Sequence, residues 1–105
     1  MISAVGGKNE LLRRLAGEAG RIKAHGVRRL GLFGSFVRDK PNGDSDVDLL
    51  VEFRPGSKTF DNLMSLAEFL EELLQRRVEL VTTESLSPYI GPRILAEVED
   101  VALGD

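Results

Sequence analysis

Asp46 and Asp48 stand one residue apart in Ser45-Asp46-Val47-Asp48-Leu49-Leu50-Val51, at the head of a strongly apolar run. In an extended strand residues i and i+2 face the same way, with Cα atoms roughly 6 to 7 Å apart. Two carboxylates so placed repel each other and can share a divalent cation. Aspartate is depleted from strands, so the pair needs a reason. A solvated, frayed strand start is one; a metal site is the other. Gly34-Ser35 ends an earlier apolar run and opens a short helical segment, where free backbone N–H groups and the positive end of a helix dipole can hold a phosphate. An ordinary terminal glycine followed by an N-capping serine has the same sequence.

Glu79, in Val78-Glu79-Leu80-Val81, is the third acid. It falls on the outward face of a further strand, and a parallel neighbour in register aims it at the side of Asp46 and Asp48; alone, it reads as an exposed strand carboxylate. Three carboxylates beside a phosphate cradle are what two-metal phosphoryl or nucleotidyl transfer requires. One cation lowers the pKa of the attacking hydroxyl, and the other holds the triphosphate and stabilises the leaving pyrophosphate. The chain has no cysteine and a single histidine, His25, so thiolate and imidazole-rich sites are excluded. A metal here sits on oxygen, which points to magnesium, with manganese as the alternative.

These residues need a scaffold. Leu11, Leu12, Leu15, Ala19 and Ile22 recur at helical spacing, predicting a first helix from about Asn9 to His25 that Gly17 and Gly20 weaken. Val27 to Phe33 reads as a strand closed by Gly34, and Ser35 as the N-cap of a short helix ended by the turn cluster Pro41-Asn42-Gly43. The strand from Asp46 to Phe53 places Val47, Leu49, Val51 and Phe53 on one face and Asp46, Asp48, Leu50 and Glu52 on the other. Leu63, Leu66, Ala67, Leu70 and Leu74 mark an amphipathic helix over Thr59 to Gln75 that packs on the apolar face of that strand. Val78 to Thr82 is a third strand. Ser87-Pro88 predicts the start of a last helix, delayed if Gly91-Pro92 intervenes, with Ile94, Leu95, Val98 and Val101 as its stripe. A short link makes the first two strands antiparallel, and the intervening helix makes the second and third parallel. The expected fold is α/β (α+β): a small mixed sheet of three or slightly more strands, covered by helices.

Composition sets the outer bounds. At 105 residues, with 42% hydrophobic and 30% charged side chains, the chain fits one domain, residues 1–105, with enough apolar material for one core. Its apolar runs fall short of a membrane span and no charged-then-apolar leader opens the sequence, so a cytoplasmic protein without membrane association is expected. The net charge of −3 hides an asymmetry: residues 1–40 carry nine Lys/Arg against three Asp/Glu, and residues 41–105 five against fourteen. Solvated helix faces explain such blocks as well as a partner surface does. Direct nucleic-acid binding is not expected, because the basic part lacks interleaved aromatics.

The stretch Gly31-Leu32-Phe33-Gly34-Ser35-Phe36, ten residues between Ser35 and Asp46, and Ser45-Asp46-Val47-Asp48-Leu49-Leu50-Val51 together resemble the core of the minimal nucleotidyltransferases (MNT) of the DNA polymerase beta superfamily. The similarity continues through Val78-Glu79-Leu80-Val81-Thr82 and Leu86-Ser87-Pro88-Tyr89-Ile90. The resemblance implies a polymerase beta palm-like fold, Asp46 and Asp48 as metal ligands, Gly34 and Ser35 as binders of an NTP, ATP foremost, and Glu79 as third catalytic acid and metal ligand. It implies a Mg-dependent antitoxin that transfers AMP to a tyrosine hydroxyl of a HEPN-domain toxin. This chain departs from such proteins in two places: they usually carry aspartate at the position of Glu79, and often Ala-Arg-Gly where Val37-Arg38-Asp39 stands here. A non-catalytic antitoxin that neutralises its partner by complex formation is the alternative, and self-association is left open.

Overall fold

The computed structural model describes residues 3–38 and 46–104. The turn cluster Pro41-Asn42-Gly43, together with Asp39, Asp44 and Ser45, lies outside the described residues. In chain order the elements are α1 (Lys8–Gly17), α2 (Ala19–Ala24), β1 (Val27–Phe33), a 3-10 turn (Gly34–Phe36), β2 (Val47–Phe53), α3 (Phe60–Leu74), β3 (Val78–Thr82), a second 3-10 turn (Thr83–Ser85), α4 (Gly91–Glu97) and β4 (Glu99–Asp100). The sheet order is β3-β2-β1-β4. β1 and β2 are antiparallel, β2 and β3 parallel, and β4 lies antiparallel on the far side of β1.

The apolar face of the sheet is set by register. Leu30 pairs with Val51 and Leu32 with Leu49. These four, with Val47, are at most 1% exposed and share one core with Leu66, Leu70 and Leu74 of α3 and Leu11 and Leu15 of α1. α3 follows its periodicity: the Thr59 Oγ1 accepts a hydrogen bond from the Asn62 N–H at 3.1 Å, and the helix closes at Gln75 in the left-handed region, φ 55°. The opposite face carries Asp48, Leu50 and Glu52. It is covered in part, since Leu50 is buried and a Cβ on Gly31 would lie 2.4 Å from Val98 Cγ2.

Three expectations are corrected, and one alternative, the delayed start of the last helix, is decided. The first helix is two: it stops at Gly17, and Glu18 leaves the helical region (φ −114°, ψ 25°) before α2 begins, as expected where two glycines lower helix propensity by about 1 kcal/mol each relative to alanine. Ser35 is not an N-cap; the turn opens one residue earlier, at Gly34, with Phe33 extended before it and no side-chain cap. The last helix starts at Gly91, with Pro92 in its first turn, while Ser87 Oγ accepts the Ile90 N–H at 3.0 Å in the turn before it. That helix ends at Glu97, so Val98 and Val101 are not part of its stripe. Leu95 is 56% exposed, and Val101 is buried by the pairing of the chain after α4 with β1, sealed by the Val101 N–H to the Leu30 carbonyl at 2.8 Å. A two-residue strand is too short to leave a period in the sequence.

Candidate active site

Asp48 sits on the second residue of β2. Its Cα partner is Phe33, the last residue of β1, on one side, and Glu79 of β3 on the other. Antiparallel pairing thus brings the end of β1 and the start of β2 to one sheet edge, and parallel pairing lays Glu79 on the same face at the same level. Asp46 precedes the first residue of β2 and is half-buried, as is Asp48; Glu79 is exposed. The sequence placed Asp46 in the strand, whereas the strand begins at Val47, whose N–H bonds the Arg77 carbonyl at 2.9 Å.

The turn of Gly34–Phe36 is held from both sides. Phe36 is fully buried, with the Arg76 guanidinium 5.0 Å from its ring centroid, and the Gly34 carbonyl accepts from the N–H groups of Val37 and Arg38 at 3.1 and 3.3 Å. Gly34 has φ 81°, and a Cβ there would fall 2.2 Å from Asp48 Oδ2. Only glycine lets the turn and the carboxylate approach so closely. Ser35, the next residue, is half-buried. Sequence-predicted Gly34, Asp46, Asp48 and Glu79 are therefore brought together.

The electrostatics follow from that crowding. Burial pushes the Asp48 carboxyl up from its ordinary 3.8 to about 6; the Glu79 carboxylate and a hydrogen bond shared with it add to the shift, Asp46 adds more, and Arg38 pulls the other way. Among the described residues no three acidic or histidine side chains are gathered into a metal cage. An ion seated here would take only part of its shell from the protein and the rest from phosphate and water, as magnesium commonly does. The donor set fits it: Asp46, Asp48 and Glu79 all offer carboxylate oxygen, and the Glu79 charge raises Asp48 by more than Arg38 lowers it.

Glu97 was not singled out from the sequence, where it is one more acid at the polar side of a short helix. It is the last residue of α4. Its Oε2 accepts the Gly34 N–H at 2.8 Å, and its Oε1 accepts from Arg38 Nη1 at 2.9 Å. Phe33, Gly34, Arg38, Ile90, Arg93 and Glu97 line a cleft of about 550 Å³ at this edge. A cavity of similar size, about 530 Å³, lies between α2 and α3 around Arg21, His25 and Phe69; Asp46, Asp48 and Glu79 line neither, and the first adjoins them through Gly34.

A family model for the nucleotidyltransferase domain matches residues 12–101. The chain belongs to the nucleotidyltransferase domain family. Its relatives include the protein adenylyltransferase MntA of Thermococcus cleftensis, 47% identical over 75 residues, which cover 70% of this chain and 73% of that protein. A solved structure provisionally described as a minimal nucleotidyltransferase superposes with a TM-score of 0.69 at 34% identity, covering 84% of this chain and 93% of the other. A complex of a tri-AMPylated Shewanella oneidensis HEPN toxin with an MNT antitoxin contains a chain of the same fold, TM-score 0.62 at 17% identity, covering 86% of this chain and 71% of that one. The nucleotidyltransferase fold expected from the motif is the fold found, with one added edge strand. No helix among the described residues is long and apolar enough to cross a membrane.

Proposed function

We propose that this nucleotidyltransferase is a protein adenylyltransferase: it transfers AMP from ATP to a tyrosine hydroxyl of a HEPN-domain toxin and so acts as that toxin's antitoxin. The observation that carries this is the juxtaposition of Asp48 with Glu79 in register on one side and Gly34 packed on its carboxylate on the other. Identity of 47% to a protein adenylyltransferase supports the choice of donor and acceptor class.

In this reading the triphosphate lies along the Gly34-Ser35 turn, held by Ser35 and the N–H groups that follow Gly34, with Arg38 beside it. Asp46 and Asp48, with Glu79 completing the set, would hold magnesium, which when bound offsets phosphate charge and makes the acceptor hydroxyl more acidic. The acceptor oxygen forms a bond to the α-phosphorus, the bond from that phosphorus to the bridging oxygen breaks, and pyrophosphate leaves. Glu79, exposed beside Asp48, would take the hydroxyl proton when it does not ligate the cation. The acceptor comes from outside the chain. Tyr89 and Ile90, 88% and 56% exposed, are apolar contacts available to a protein beside the cleft, Ile90 at its wall.

The test is incubation of the protein with labelled ATP, magnesium and a HEPN-domain toxin. Label should enter the toxin with the parent chain and not with Asp48→Asn, which keeps the side-chain shape and removes a charge from the ion site. If Asp48→Asn neutralises the toxin as well as the parent does and no labelled product forms, the chain is a binding-only antitoxin.

A further inference from the structure

We infer that Glu97 is a positioning residue of the nucleotide site: its carboxylate clamps the Gly34 amide and the Arg38 guanidinium together, and so presents Arg38 to the phosphates. This rests on the adenylyltransferase reading above and adds to it a residue far from the motif in sequence. Three facts carry it. Both Glu97 oxygens are engaged, one by each arm, at 2.8 and 2.9 Å. The amide it grips belongs to the glycine that packs against Asp48, so the clamp abuts the acidic site directly. Glu97 and Gly34 also line the same cleft as Arg38.

The chemistry distinguishes a clamp from a surface ion pair. An exposed arginine paired to an exposed acid has little effect on either. Here the Glu97 side chain is only 29% exposed and is fixed at its other oxygen by a backbone donor, whereas Arg38 is 58% exposed. A guanidinium has five N–H donors in a planar fork, and this bond uses one. Among the described residues this is the guanidinium's one hydrogen bond, so it restricts the side chain's rotamers while leaving other donors of the fork for an anion. Arginine ordered in advance binds phosphate with less entropy lost at the moment of binding.

Glu97→Gln separates the two arms, because the amide oxygen can still accept the Gly34 N–H while the charged bond to Arg38 is lost. Binding of ATP with magnesium is measured by titration calorimetry for the parent chain, Glu97→Gln, Arg38→Ala and the double variant, with thermal melts confirming that each is folded. Arg38→Ala is an exposed substitution and guards against a folding failure of the other. Glu97→Gln should weaken binding about tenfold, the loss expected from one charge-assisted hydrogen bond. The double variant should bind no more weakly than Arg38→Ala alone, since Glu97 acts through that arginine. Unchanged or tighter binding in Glu97→Gln overturns the inference, tighter binding meaning that Glu97 competes with phosphate. Additive losses also overturn it. If the parent chain itself fails to bind ATP with magnesium, the adenylyltransferase reading falls and this role falls with it, a result distinct from all the others.

Discussion

Gly34 and Asp48 are coupled by contact, and each makes a prediction about the other. Any Cβ at position 34 strikes the Asp48 carboxylate, at a φ of 81° that non-glycine residues adopt at about 1–2 kcal/mol. Gly34→Ala is therefore expected to lower stability by at least that amount, read in urea denaturation, and to abolish label transfer by displacing Asp48. The raised affinity of Asp48 for its proton has its own signature. In the folded, metal-free chain this carboxyl titrates near 6, against an ordinary 3.8. Between those values the folded state holds a proton that the unfolded state has released, so this group's contribution to stability is complete below pH 3.8 and is lost as pH rises through about 6. Melting temperatures measured in chelator should show that fall in the parent chain, and Asp48→Asn should lose it and gain stability at pH 7 relative to the parent. An identical pH profile in both would show that crowding at Asp48 is not what the geometry indicates.

Among the elements, α3 is where sequence and structure agree most closely, and its ends make the simplest test. Thr59→Ala removes the Oγ1 acceptor of the Asn62 N–H and should cost about 1 kcal/mol, seen as a lower urea midpoint with unchanged slope. Leu70→Ala, at a fully buried position facing the sheet, should cost about 2–5 kcal/mol in the same measurement. Neither side chain is near the acids, so label transfer by the folded fraction should persist in both. α4 differs in kind: its sequence gives a poor helix, and its value lies in delivering Glu97 to the Gly34 turn and leading the chain into β4.

For the whole molecule, the open arrangement of acids sets how ions and nucleotide depend on each other. No described trio of side chains makes a cage, so magnesium alone should bind weakly and raise the melting temperature little. ATP alone meets Asp46, Asp48 and Glu79, whose mutual repulsion Arg38 offsets only in part. Together, each supplies what the other lacks, and the joint rise in melting temperature should exceed the sum of the separate rises. Calorimetry in which ATP binding ignores divalent ions would remove the metal from the mechanism.

Much of this was legible in local patterns. Gly34-Ser35 and Asp46-Val47-Asp48 stand out as candidates because a glycine-opened turn and an i, i+2 acid pair are local arrangements, and α3 announces itself because its apolar face repeats every helical turn. The antiparallel β1–β2 pair and the parallel β3 followed from connection length, which also brought Glu79 to the right face. What the residues could not reveal alone were the features made by contacts across the chain. The break after Gly17, the early turn at Gly34, the two-residue β4 and the grip of Glu97 on Gly34 each depend on a neighbour or a backbone angle that leaves no period in the sequence. Local chemistry named the acids; tertiary packing decided how closely they crowd, which backbone amide is already engaged, and which arginine stands beside them.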